Sequence, residues 1–208
     1  PSFVVPFPYE QSVSTRVPLK LSELRNKAPH LAKYFIDNRK SIDAQTSYNE
    51  KIIGKREQEF YALARVGKYS FAKNYVAFRD NTKWQAAVVE EVNTKWGGIK
   101  RPVFQNHAVS ISEREDGIMI TNDEAHFVCA ILNAPLTKNF ILNSSDSRSF
   151  KIRPPIFIPY FDLKNVNHLK LVTLSKLAHK SYSDPERIKE IEKEIDKIYL
   201  EICKNENT

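Results

Sequence analysis

Between Phe60 and His107 the chain interleaves cations, aromatic rings and amides, the side chains with which proteins grip nucleic acid. Eight Lys/Arg stand there against three Asp/Glu, a formal charge of +5. The flanking stretches 1–59, 108–160 and 161–208 carry +3, −1 and 0, so the overall +7 is a local excess. A localised cationic, aromatic-rich surface is the electrostatic footprint of a nucleic-acid binder. Lys and Arg neutralise phosphates and release counterions, which gives salt-sensitive affinity with little sequence preference. Sequence is read by groups such as Arg on guanine and Asn or Gln on adenine. The candidates for base or backbone contact are Lys68, Tyr69, Ser70, Lys73 and Asn74. Arg79, Lys83, Lys95, Lys100 and Arg101 come next, chiefly as phosphate partners. Tyr69, Trp84 and Trp96 have rings that can stack on or wedge against bases. For each cation the competing reading is a solvated charge, and for each ring a place in the core of a sheet.

Other chemistries find less support. The five histidines (His30, His107, His126, His168 and His179) show no close metal-binding spacing with carboxylates or cysteines. His126 stands in an apolar helical run and reads as structural. A magnesium-dependent nuclease needs Asp/Glu with a downstream Glu-x-Lys-like group. Asp162-Leu163-Lys164 and the Glu/Lys pairs after Arg187 match that only as any charged helix would. Cys129 and Cys203 are too few for a disulfide framework or a thiolate zinc site, and a reducing compartment is expected. No apolar run approaches the ~18 residues of a membrane span. No charged-then-apolar leader opens the chain, and with 41% hydrophobic and 27% charged residues it has an ordinary globular composition. The chain begins at Pro1 without an initiator methionine, which suggests a fragment or a processed chain.

The same stretch carries a resemblance. Phe60–Ala72 (FYALARVGKYSFA) followed by Tyr75–Arg79 (YVAFR) resembles part of the C-terminal target-recognition domain of adenine-specific DNA methyltransferases. These belong to restriction–modification systems, fused restriction/modification enzymes included. The shared pattern is an aromatic strand, a Gly-aromatic-Ser-Phe-Ala turn, then a strand ending in Arg. Further pieces fit in the same order: Phe7-Pro8-Tyr9 at the start of the domain, Asn106-His107 before a strand, Glu124–Asn133, Ile156–Pro159 and Leu174–His179. The pieces from Phe60 onward run to His179, and their order carries more than any one of them.

The resemblance implies double-stranded DNA as partner, a covalently linked or separate catalytic domain, and the cytoplasm of a bacterium or archaeon. A complete methyltransferase also needs a glycine-rich strand–loop–helix for S-adenosylmethionine and an aromatic-ended Pro-Pro motif for the flipped adenine. This chain has five glycines and no Gly-x-Gly. Its one Pro-Pro, in Arg153-Pro154-Pro155-Ile156, lacks both the preceding Asp/Asn/Ser and the following aromatic. The expectation is therefore recognition without methyl transfer: no catalytic residue, no metal and no cofactor here, with S-adenosylmethionine in the missing catalytic domain. In fused parents that domain also joins a type II restriction endonuclease. Two alternatives remain: a specificity subunit that docks a catalytic partner through Ile188–Ile202, and a module whose basic patch meets an acidic protein.

The elements that must position these residues read as an α+β fold. A central, mainly antiparallel sheet has helices on its flanks and a C-terminal helical pair. One domain is expected, with a leading segment and helix in 1–59, a sheet-rich core in 60–160 and helices in 161–208. Ser22 reads as the N-cap of a first helix, and Pro29 opens a second that Arg39 and Lys40 close. Residues 41–59 read as a linker or a loop against DNA. Alternation predicts strands at 60–66 and Tyr75–Arg79, joined by a Gly67–Ser70 turn. Ala86–Val92 is a strand or a short helix, and extended structure resumes at Pro102–Phe104 and His107–Ser112. Glu113–Gly117 is a hairpin turn, and Thr121 with Glu124 has capping-box spacing. Pro135 starts another helix, Asn143–Ser149 is a loop, and Ile156–Ile158 is a strand returning to the sheet. Asn165 and Asp184-Pro185 start the last two helices. In the second, Ile188, Ile191, Ile195, Ile198 and Ile202 form one apolar stripe, buried against the preceding helix or an absent partner.

Overall fold

A computed structural model describes residues 4–44, 59–64, 66–79, 84–95, 97–103, 108–144 and 156–205. The chain divides into two compact units, residues 1–72 and 73–208.

The first unit is built on α1 (Leu21–Lys27), α2 (Pro29–Asp37) and α3 (Arg39–Asp43). Leu24, Ala32 and Phe35 close a small core with Leu19 and Tyr61. The first helix starts one residue before the expected Ser22 cap. Glu23 takes the capping role, its carboxylate accepting the Lys20 N–H at 3.1 Å. Asn38 ends α2 by donating its amide to the Tyr34 carbonyl at 2.8 Å, so Arg39 opens a new helix rather than closing the old one. The strand expected at 60–66 is not formed at its described residues. Tyr61 instead stacks on Phe35 at 4.6 Å and donates its hydroxyl to the Leu19 carbonyl at 2.7 Å. Its neighbour Ala62 is also buried, so burial here runs consecutively, as in a packed turn, and not in alternation.

The second unit is α+β, as expected. Strands β1 (Asn74–Arg79), β2 (Ala86–Glu90) and β5 (Ala108–Ile111) form an antiparallel sheet in the order β2-β1-β5. Strands β3 (Val92–Asn93) and β4 (Ile99–Lys100) form a separate ribbon. Helices α4 (Asn122–Asn133), α5 (Pro135–Ser144), α6 (Val166–Lys180) and α7 (Pro185–Asn205) complete it. Val76 and Phe78 of β1 face the same way as their partners Val88, Ala86, Ile111 and Val109. That face packs on Ala125, Cys129 and Leu132 of α4. The opposite face of α4, through Phe127, Ala130 and Ile131, meets α6 and α7. A helix apolar on all sides belongs in the interior, and eight of the twelve α4 residues are buried.

Local chemistry sets the helix ends. The Thr121 hydroxyl accepts the Glu124 N–H at 3.2 Å, and the Glu124 carboxylate accepts the Thr121 N–H at 2.8 Å. Asn165 caps α6 through the Asn167 N–H at 2.9 Å, and Asp184 caps α7 through the Arg187 N–H at 3.0 Å. The C-terminal pair is present, with Ile191, Ile195, Ile198 and Ile202 buried against α4 and α6. Each such side chain contributes roughly 1.5–3 kcal/mol by leaving water. From Ile191 to Ile202 the stripe is thus consumed inside the chain, while Ile188 is half-buried.

Ile156–Ile158 forms no strand and pairs with no strand among the described residues. Its carbonyl at Phe157 accepts the Tyr199 hydroxyl at 2.6 Å, a side-chain bond in place of a ladder bond. Ile156 and Ile158 fill the seam between the two apolar clusters that flank α4.

Candidate nucleic-acid interface

Strand β1 is the middle strand, and two of the second unit's candidate residues, Asn74 and Arg79, stand at its ends. Lys73 precedes it and Arg79 ends it, both exposed. Asn74 is half-buried, and its amide donates to the Ile120 carbonyl at 3.3 Å, tying the start of β1 to the segment before α4. That bond gives Asn74 a structural task alongside any contact with a base.

Trp84 is a correction. Its side chain is 4% exposed, 4.9 Å from the Phe78 ring, and its indole N–H donates to the Leu132 carbonyl at 2.8 Å. A buried ring whose polar edge is already bonded does not stack on DNA. It plugs the sheet onto the C-terminal end of α4. Trp96 and Lys83 lie outside the described residues.

Past Glu90 the chain leaves the sheet and makes the β3–β4 ribbon, pairing Val92 with Lys100 and Asn93 with Ile99. All four residues are exposed. The turn is closed by the Thr94 N–H on the Gly98 carbonyl and the Gly97 N–H on the Thr94 carbonyl, both at 3.1 Å. Gly97 and Gly98 have φ of 88° and 71°, a left-handed backbone that glycine adopts without penalty. Lys95 in the turn and Lys100 on β4 are exposed. Arg101 is also exposed, but its guanidinium meets the Glu91 carboxylate at 2.9 Å, which offsets its charge and braces the ribbon's base. In the sequence Arg101 reads as a full cation, because the strand register that places Glu91 beside it is set by pairing and not by local spacing.

Lys68, Tyr69 and Ser70 belong to the first unit, in a single 3-10 turn over Lys68–Phe71. Ser70 Oγ accepts the Gly67 N–H at 3.3 Å, while Lys68 and Tyr69 are exposed. A side chain at Gly67 would come within 3.0 Å of the Tyr69 ring, so glycine is what lets the ring fold back over the turn.

An open cleft of about 530 Å³ is lined by Arg114, Asp123, Glu124, Phe161, Asp162 and Lys164 among others. Its carboxylates are occupied. Burial pushes the Glu124 carboxyl up, but Arg114 at 2.6 Å and the Thr121 N–H more than offset this and leave it below the usual range. Asp123 meets Lys176 at 2.6 Å. Among the described residues no group of three or more His, Cys, Asp or Glu is placed to hold a metal ion. No single described helix is long and apolar enough to cross a membrane.

Behind the sheet lies a polar web that sequence reasoning missed. Asn133 accepts the Ala86 N–H at 3.0 Å and donates to the Ala86 carbonyl at 2.7 Å. His179 Nε2 accepts the Val88 N–H at 2.9 Å, and its Nδ1 donates to the Ser175 carbonyl at 2.8 Å. His126 Nδ1 lies 3.0 Å from Ser175 Oγ, and its ring meets that of His179 edge-on at 5.0 Å. Cys129 is buried beside them, and burial pushes its thiol up to about 11. It is an inert thiol.

No protein-family model matches the chain, and no curated protein matches it significantly.

Proposed function

We propose that the chain is a target-recognition domain for duplex DNA from an adenine-specific DNA methyltransferase of a restriction–modification system. Methyl transfer would come from a linked or separate catalytic domain that holds S-adenosylmethionine. The ordered motifs from Phe60 to His179, centred on the segment with the local +5, carry this reading. Its support in the fold is the placement of charge. Lys73, Arg79, Lys95 and Lys100 are exposed, while nearby Glu91 and Glu90 are engaged by Arg101 and Asn122. Such a domain grips the phosphates, reads a short site, and offsets the few kcal/mol that flipping the adenine costs.

The test is fluorescence anisotropy of the chain with a randomised-sequence duplex over a salt series. Binding should weaken linearly in log–log, and Lys73→Ala with Arg79→Ala should flatten the slope by about 2, near 0.9 for each phosphate no longer neutralised. Unchanged affinity and slope in that variant would remove β1 from the interface. Absence of binding at low salt would refute the DNA reading and favour an acidic protein partner.

A further inference from the structure

The β3–β4 ribbon is unusual in what it leaves uncovered. Directly paired residues share a face, so Val92 and Lys100 lie on one side and Asn93 and Ile99 on the other. All four are exposed, with Val92 at 49% and Ile99 at 63%, so neither side rests on a core. An isolated two-stranded ribbon is marginal in water. This one is held by its double-glycine turn, the Thr94 hydroxyl bond to the Gly97 carbonyl at 3.2 Å, and the Glu91–Arg101 brace. Local bonding thus holds a ribbon that displays aliphatic groups, an amide and lysines to solvent.

Those groups suit one occupant. Two strands about 4.8 Å apart, with their side chains, fit the roughly 12 Å width of the major groove of B-DNA, which admits a two-stranded ribbon. Lys95 and Lys100 are exposed cations on the ribbon, complementary to the phosphates on both rims, while the charge of Arg101 is offset by Glu91. An amide such as Asn93 can bond adenine N6 and N7, and an aliphatic group such as Ile99 can meet the thymine methyl.

Resting on the DNA reading above, we propose that the ribbon is the groove-reading element. It enters the major groove with Asn93 and Ile99 toward the base edges and with Lys95 and Lys100 on the flanking phosphates. Asn93 and Ile99 join the interface on structure alone.

The experiment measures anisotropy of the full chain on a randomised duplex and on the same duplex carrying glucosylated hydroxymethylcytosine, whose sugars fill the major groove. Wild type should bind the filled duplex about tenfold or more weakly, the worth of roughly one good base-edge pairing. Lys95→Ala with Lys100→Ala should lower the salt slope by about 2. Ile99→Ser with Asn93→Ala should keep the slope, lose the sensitivity to groove filling, and select random sites with a relaxed adenine preference. All four side chains are exposed, so circular dichroism should be unchanged. If wild type binds DNA but these variants keep both slope and groove sensitivity, the ribbon is not the reader and the DNA reading stands. If wild type ignores duplex at low salt, both fall.

Discussion

Acid should loosen the second unit through one buried imidazole. His126 is 6% exposed, between the sheet and α6, with Ser175 Oγ at 3.0 Å and the His179 ring at 5.0 Å. Burial, then the repulsion of His179 and Lys176, holds its pKa down to about 4 against 6.5 unperturbed, with Asp123 opposing. The folded state therefore resists a proton that the unfolded chain accepts between pH 6.5 and 4. The stability is fully present above 6.5, falls as pH drops through that window, and levels off below 4. The loss is at most about 3 kcal/mol, a large part of the 5–15 kcal/mol typical of a domain. Urea unfolding by circular dichroism from pH 7 to 4 should show it. His126→Asn keeps a neutral polar group near Ser175 but has nothing to titrate, so its stability should fall with about one proton less of slope. Equal slopes in the two proteins would show that His126 is not the proton-linked group.

Three other outcomes follow from the packing. Ile195→Ala removes a side chain 2% exposed at the junction of α4, α6 and α7, and should cost about 2–5 kcal/mol in urea unfolding. Thr121→Ala deletes the cap of α4 and should cost about 1 kcal/mol, with faster hydrogen exchange in the helix's first turn. Gly97→Ala meets no atom within 4 Å yet forces φ of +88° on alanine. It should leave global stability nearly unchanged while raising amide exchange at Thr94 and at position 97, whose N–H groups close the turn.

How far sequence reached depended on the range of the interaction. Caps and turns were legible because their partners lie within four residues: Thr121 with Glu124, Asp184 with Arg187, Gly117 at φ 79°. The stripe Ile191–Ile202 showed which residues were apolar but not what covered them. Alternation misled at Tyr61 and at Ile156–Ile158, because apolar residues spaced by two pack equally well in irregular chain when distant groups, Leu19 or Tyr199, satisfy the backbone. Trp84 was ambiguous for the same reason, since its fate rests on a carbonyl 48 residues away. Nothing local in the sequence announces that Asn133 and His179 will bond β2, or that Glu91 will face Arg101.

Those long-range bonds explain how so small a sheet is held in place. Strand β2 is an edge strand, and an unsatisfied edge invites pairing with another chain or frays. Here Asn133 of α4 and His179 of α6 bond the outward Ala86 and Val88 groups, while Trp84 pins the entering chain to Leu132. The helices thus do the work of a missing fourth strand along β2 from Ala86 to Val88. A reading element must be held within a fraction of an ångström to discriminate bases. On the proposed DNA reading the web would act by positioning β2: His179→Leu, which leaves the Val88 N–H without its acceptor, should relax site preference in a random-site selection while the salt slope stays. A slope that drops as well would mean that the phosphate-binding surface had been lost too, and that the web maintains the fold as a whole rather than the ribbon's placement.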